Sequence, residues 1–162
     1  MFLLKKNKPL AVIFWLLTAA VMVIIFMFSA DTGDESEEVS QSLFGLLIDF
    51  IGRFISHDVL RKIAHFTEFA ALGFCMTGAI NYTFGKRNFL FPFIPCVLYA
   101  VSDEIHQYFV PERACRVFDM FIDSCGIATG IGIFIVILFI ISKINQRPSC
   151  ADEEGFLSDA DV

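Results

Sequence analysis

Apolar residues occur in this chain in blocks of membrane-crossing length, with the polar residues gathered between them. The first block, "LAVIFWLLTAAVMVIIFMF" at Leu10–Phe28, has the roughly 20 residues that a helix needs to cross a bilayer. A second runs over about 63–80, "IAHFTEFAALGFCMTGAI", and a fourth over about 120–144, ending in "IGIFIVILFIISKI". The third is irregular. Its apolar part, 89–102, carries Pro92 and Pro95, and it reaches spanning length only by continuing to 109 through Asp103, Glu104, His106 and Gln107. Backbone exposed to lipid has no water to bond, so each block is predicted to be helical. The expectation is therefore an all-α polytopic membrane protein with four transmembrane helices, at about 10–28, 63–80, 89–109 and 120–144.

One further stretch, "LFGLLIDFIGRFI" at 43–55, is too short to cross. On a helix, Gly45, Asp49, Gly52, Arg53 and Ser56 form a narrow polar stripe against a wide apolar face. That pattern predicts an extracytoplasmic amphipathic segment lying in the interface; a helix packed over the mouth of the bundle remains the alternative.

Composition agrees with membrane embedding. The 162 residues are 56% hydrophobic with 20 Phe, and the mean hydropathy is +0.68. A soluble domain of this size could not bury so much apolar surface. The net charge of −6 comes largely from two acidic clusters, 31–38 and 152–161, which read as solvated segments. No basic tract or motif points to nucleic acid. The five cysteines show no metal-ligand or disulfide spacing. A basic start precedes the first block, but the apolar run exceeds a signal-peptide core and Phe28 suits a cleavage site poorly, so a retained first helix is expected.

Basic residues then suggest an orientation. With four spans, Lys5, Lys6, Lys8, Lys86, Arg87, Lys143 and Arg147 all fall on one side, which places both termini in the cytoplasm. The organisation is then a cytoplasmic start at 1–8, a membrane domain at 9–145 and an acidic cytoplasmic tail at 146–162. Arg53, Arg61, Lys62, Arg113 and Arg116 lie on the opposite side against that bias, four of them beside the polar patch.

The polar residues of three blocks converge on that face. Lys62, His65 and Glu68 are three apart on the second helix, with Arg61 four before His65. Asp119 and Asp123 are an i, i+4 pair on the fourth, and the same face continues into Gly126 and Gly130, a small-xxx-small pattern that permits close helix contact. Ionisable groups at membrane depth are costly and normally face a partner or a wet cavity.

These residues carry a resemblance. "RKIAHFTEFAALGF" resembles one element of the VanZ-like family, K-x-x-H-F-x-x-[YF]-x-x-L-G-F. "SDEIHQYFVPERACRVFDMFIDSCGIATG" resembles its second, E-x-x-Q-x-F-V-P-x-R with D, [ND] and G following. The matching positions are Lys62, His65, Phe66, Glu104, Gln107, Pro111, Arg113, Asp119, Asp123 and Gly126, across about residues 60–140. The chain departs at Asp123, where the family commonly has Asn, and at Glu112, where Gly is frequent. The resemblance implies a cell-membrane protein of a Gram-positive bacterium, in a family whose name-giving member is associated with reduced susceptibility to teicoplanin-type glycopeptide antibiotics.

Three chemical readings fit the cluster. In the first, Lys62, Arg113 and Arg116 clamp a phosphate while Glu104, Asp119 and Asp123 orient those cations or receive an amine, with His65 and Gln107 among the ligand-binding residues. The partner is then a membrane lipid or a lipid-linked cell-envelope ligand at the outer leaflet, with no cofactor. In the second, His65, Glu104, Asp119 and Asp123 are catalytic candidates in a hydrolase or transferase, as acid and base or around a divalent metal. In the third, the charges pair with one another, as Arg113–Asp119 or Lys62–Glu104, and fix helix register. The favoured site is Lys62, His65, Glu104, Gln107, Arg113, Asp119 and Asp123, with Glu68, Asp103, His106 and Arg116 next.

Overall fold

The computed structural model describes residues 6–30, 57–85, 89–110 and 117–144. The expected interfacial segment 43–55, both acidic clusters, and Arg113 and Arg116 lie outside the described residues. Four helices follow in chain order: α1 Lys8–Ala30, α2 His57–Phe84, α3 Phe93–Tyr108 and α4 Val117–Ile144. No strand occurs among the described residues.

Local chemistry sets several of the helix ends. Asn7 caps α1, its side-chain oxygen accepting from the Leu10 N–H at 3.2 Å, so one orphan donor of the first turn is satisfied. Gly85 closes α2 with φ of 66° and donates its N–H to the Asn81 carbonyl at 2.9 Å. That is the left-handed cap glycine accepts without a Cβ penalty. Pro92 precedes α3, and Pro95 sits in its first turn, where a missing N–H costs nothing.

Three helical stretches, Lys8–Ala30, Arg61–Phe84 and Phe118–Ile144, are long and apolar enough to cross a membrane. α3 is not. Its 16 residues rise about 24 Å, against a hydrocarbon core of about 30 Å. The expected helix over 89–109 is thus shortened at its start. The prolines are the reason: the chain turns at Leu90, whose carbonyl accepts from the Phe93 N–H at 3.1 Å, and the helix begins only there.

Helix directions alternate. Asn7 donates its N–H to the Tyr82 carbonyl at 3.2 Å, so the start of α1 meets the end of α2. Tyr99 donates to the Met22 carbonyl at 2.6 Å and Ser29 to Asp103 at 2.8 Å, so α3 runs alongside α1 in the same sense. α2 and α4 are parallel and in very close contact. A Cβ added to Gly126 would lie 2.5 Å from the Phe66 carbonyl oxygen, one on Gly73 would lie 2.5 Å from that of Ile127, and one on Gly130 would meet that of Ala70 closer still. Bare glycine on both helices lets the backbones approach, the way association gains packing where lipid supplies no hydrophobic drive.

The core lies between these helices. Ile25, Phe69, Leu72, Cys96, Ala100 and Ile127 are almost fully buried. On α1 the inward positions are Ala11, Thr18, Ile25 and Ser29, one narrow stripe on a helix whose other faces expose Val12, Leu16, Val23 and Met27. At the end holding the start of α1, Phe14, Phe74, Tyr82 and Phe134 pack mostly edge to face with centroids 5.3–6.3 Å apart. The opposite end holds the polar residues.

Candidate functional site

At that polar end, α1 and α3 are joined by a buried hydrogen-bond triangle. Ser29 donates to Asp103 Oδ2 at 2.8 Å, and Gln107 Nε2 donates to both Ser29 Oγ and Asp103 Oδ2 at 3.0 Å. Asp103 and Gln107 reach one point because they are one turn apart on α3. Each member satisfies another, which is what allows three polar side chains to be buried together. Glu104, only 1% exposed, sits beside them and is itself partnered.

Between α2 and α4 the polar residues form two rungs. The helices are parallel, so the i, i+4 pair Arg61 and His65 faces the i, i+4 pair Asp119 and Asp123 in register. Arg61 Nη2 lies 4.0 Å from Asp119 Oδ2. One turn deeper, His65 Nδ1 lies 3.8 Å from Asp123 Oδ1, an electrostatic approach too long for a hydrogen bond. Lys62 Nζ lies 5.2 Å from the centre of the Phe118 ring, where ring and cation attract. Arg61, Lys62, His65, Asp119, Ile122 and Asp123 line a shallow, tightly closed cleft.

Asp123 is the deepest acid of the cleft. Asp123 is 0% exposed, and neither of its carboxyl oxygens has a hydrogen-bond donor. Glu104, Asp103, Asp119 and Glu68 all lie near enough to act electrostatically on it. His65 stacks on Phe69 with the rings 12° from parallel, which fixes its plane. His106 instead stacks on Phe26 at 4.7 Å, beside α1 rather than in the cleft.

A protein-family model described as VanZ/LLP1 matches residues 14–139. The chain belongs to the VanZ/LLP1 family. No curated protein and no solved structure matches it. The matched stretch of this VanZ/LLP1 chain holds both the buried triangle and the two rungs.

Of the residues singled out from the sequence, Lys62, His65, Asp119 and Asp123 come together in the cleft of this family member. Glu104 and Gln107 are buried on α3, Gln107 bonded to Ser29 and Asp103 and not lining the cleft. Arg113 and Arg116 lie outside the described residues. Asp119 faces Arg61, and Lys62 lies over Phe118, so the cations that flank the cleft are Arg61 and Lys62. Among the described residues, no three His, Cys, Asp or Glu side chains are grouped so as to hold a metal ion; His65, Glu104, Asp119 and Asp123 do not form such a set.

Two participants went unranked in the sequence. Arg61 was visible as the residue four before His65 and as a cation on the wrong side for the charge bias. Ser29 carried a fainter signal, a small polar residue eleven after Thr18 on an otherwise apolar helix, which places both on one face.

Proposed function

We propose that this VanZ/LLP1 protein binds a phosphate-bearing lipid or lipid-linked envelope ligand in the cleft between α2 and α4. In doing so it influences susceptibility to teicoplanin-type glycopeptides. The observation that carries the reading is the pair Arg61 and Lys62 at the rim of a cleft at the polar end of a membrane bundle. The Arg61 side chain is 38% exposed and its ion pair with Asp119 is 4.0 Å long, an arrangement that contributes only about 0–1 kcal/mol. A phosphate offers that guanidinium shorter, bidentate, charge-assisted bonds, so Arg61 gains by exchanging partners. Lys62 adds a flexible point charge beside it.

The orientation is part of the proposal. Lys8 and Lys143 stand at the end opposite the cleft, by the start of α1 and the end of α4, and the positive-inside bias assigns that end to the cytoplasm. The cleft then faces the outer leaflet of a Gram-positive cell membrane. Arg113 and Arg116, which follow α3 in the sequence, are further candidate cations for the same ligand.

The test is teicoplanin susceptibility in a deletion strain complemented with the wild type or with Arg61→Gln/Lys62→Gln, with membrane abundance measured in parallel. Restoration by the wild type alone, at equal abundance, is the expected result; equal restoration by both would sink the reading.

A membrane-embedded hydrolase or transferase acting on a lipid-linked substrate is the second reading, favoured by one observation. His65 and Asp123 bring a ring nitrogen and a buried carboxyl group to 3.8 Å, residue types that acid–base catalysis uses once they close to hydrogen-bond distance. Release of phosphate from lipid-linked pyrophosphates by purified protein, lost in His65→Ala, would support it; no turnover with any such substrate would remove it.

A further inference from the structure

The rim cations leave the deeper rung unexplained. Asp123 lines the cleft, is fully buried, and has no donor to either oxygen. Leaving a buried carboxyl group without donors is expensive, more so than for a neutral polar group. Of the neighbouring acids, Glu68, Asp103 and Glu104 have partners of their own, and Asp119 faces Arg61 at 4.0 Å although its Oδ1 accepts no hydrogen bond. His65 comes no nearer than 3.8 Å to Asp123. Asp123 therefore lacks a donor, one helical turn below Arg61, and because it is wholly buried a compact donor group reaches it only when α2 and α4 part.

We propose that the ligand of this cleft is zwitterionic: a phosphate ester carrying a primary amine, with the phosphate at Arg61 and Lys62 and the ammonium group at Asp123. This rests on the reading of the cleft as a phosphate site and narrows it to one chemical class. An ammonium group presents three donors and no acceptor, so it can serve both Asp123 oxygens at once. The two subsites stand about one helical turn, roughly 5.4 Å, apart along parallel helices, a separation suited to a short carbon linker between phosphate and amine. A headgroup without an amine would bring to Asp123 no positive charge to offset Glu104, Asp103, Asp119 and Glu68 around it. Both an aminophospholipid headgroup and a soluble phosphoamine have the required chemistry.

Full-length protein in lipid nanodiscs tests this. Retention of phosphatidylethanolamine, N-acetyl-phosphatidylethanolamine and phosphatidylglycerol is measured by native mass spectrometry, with O-phosphoethanolamine and inorganic phosphate as soluble competitors. The free amine should be preferred over its acetylated form by about 10- to 100-fold, the range a hydrogen bond to a charged group supplies. Asp123→Asn should abolish that preference while leaving phosphatidylglycerol binding in place, and Arg61→Gln/Lys62→Gln should weaken all three lipids. Competition by O-phosphoethanolamine better than by phosphate supports a soluble ligand; retention of the lipid against it supports the headgroup. Equal retention of the free and acetylated amines by the wild type, which needs no variant to fold, overturns the amine subsite and leaves the phosphate site standing. Failure of every phosphate ligand to bind overturns both.

Discussion

Gly126 is the position at which packing and the candidate site can be separated by one methyl group. A Cβ there would lie 2.5 Å from the Phe66 carbonyl oxygen and 3.2 Å from its carbon, whereas carbon and oxygen settle at about 3.3–3.6 Å. The obstacle is backbone, so no rotamer change relieves it, and α2 and α4 must part by about 0.8–1.1 Å. A gap of that size forfeits roughly a quarter to a half of each contact's attraction. Gly126→Ala is therefore expected to cost about 3 kcal/mol, the upper end of ordinary overpacking, or a factor of about 150 in the folding equilibrium at 1.36 kcal/mol per decade. Gly132→Ala is the control: nothing lies within 4 Å of its added Cβ, and alanine is the better helix former by about 1 kcal/mol. Steric-trapping or detergent-to-SDS unfolding of the purified full-length protein measures both. Phe66 follows His65 and Gly126 lies three residues after Asp123, so the same displacement widens the deeper rung. Gly126→Ala should then weaken ligand retention even when it is folded and abundant. Indistinguishable stabilities for the two variants would refute the close-contact account of the α2–α4 interface.

Three further outcomes are expected. Ser29→Ala removes the hydroxyl that donates to Asp103 and accepts from Gln107, and should cost about 1–3 kcal/mol as a buried polar group loses its partner; the same unfolding assay checks it, and a neutral result would show the triangle to be dispensable. Gly85→Ala puts a side chain at φ of 66° and should cost about 1–2 kcal/mol, read as fraying of the end of α2 in hydrogen exchange. Trp15→Phe, which deletes the indole donor to Thr83 Oγ1 at 3.1 Å, should cost about 0.5–1.5 kcal/mol, because Thr83 already bonds the Ala79 carbonyl at 2.6 Å.

The helices were legible because lipid-facing positions leave long apolar runs in the sequence, and α1 and α4 are the plainest cases. The third was harder. Its prolines were visible, but length arithmetic favoured a full crossing, whereas the chain uses Pro92 and Pro95 to delay the helix. Within each helix the site was legible too: the spacing of His65 with Arg61, and of Asp119 with Asp123, follows from 3.6 residues per turn. What no spacing supplies is the register between helices. That Arg61 faces Asp119 and His65 faces Asp123 depends on α2 and α4 being neighbours, parallel, and held by Gly126 against Phe66. The closed triangle has the same origin, since Ser29 gains meaning only once α3 lies alongside it.

The brevity of α3 has a consequence for the surrounding lipid. A bilayer meets helices of full crossing length on three sides of this bundle and a column about 6 Å too short, by the same rise and core thickness, on the fourth. Ile94 and Leu98 are exposed on the helix itself and Leu90 and Phe91 on the turn before it, so acyl chains on that flank meet apolar surface carried partly by non-helical backbone. The cost is a fraction of a kcal/mol per Å of mismatch, small enough to tolerate yet confined to one side. Thinner membranes are expected to relieve it and thicker ones to sharpen it, which partitioning of the protein between bilayers of different thickness would measure.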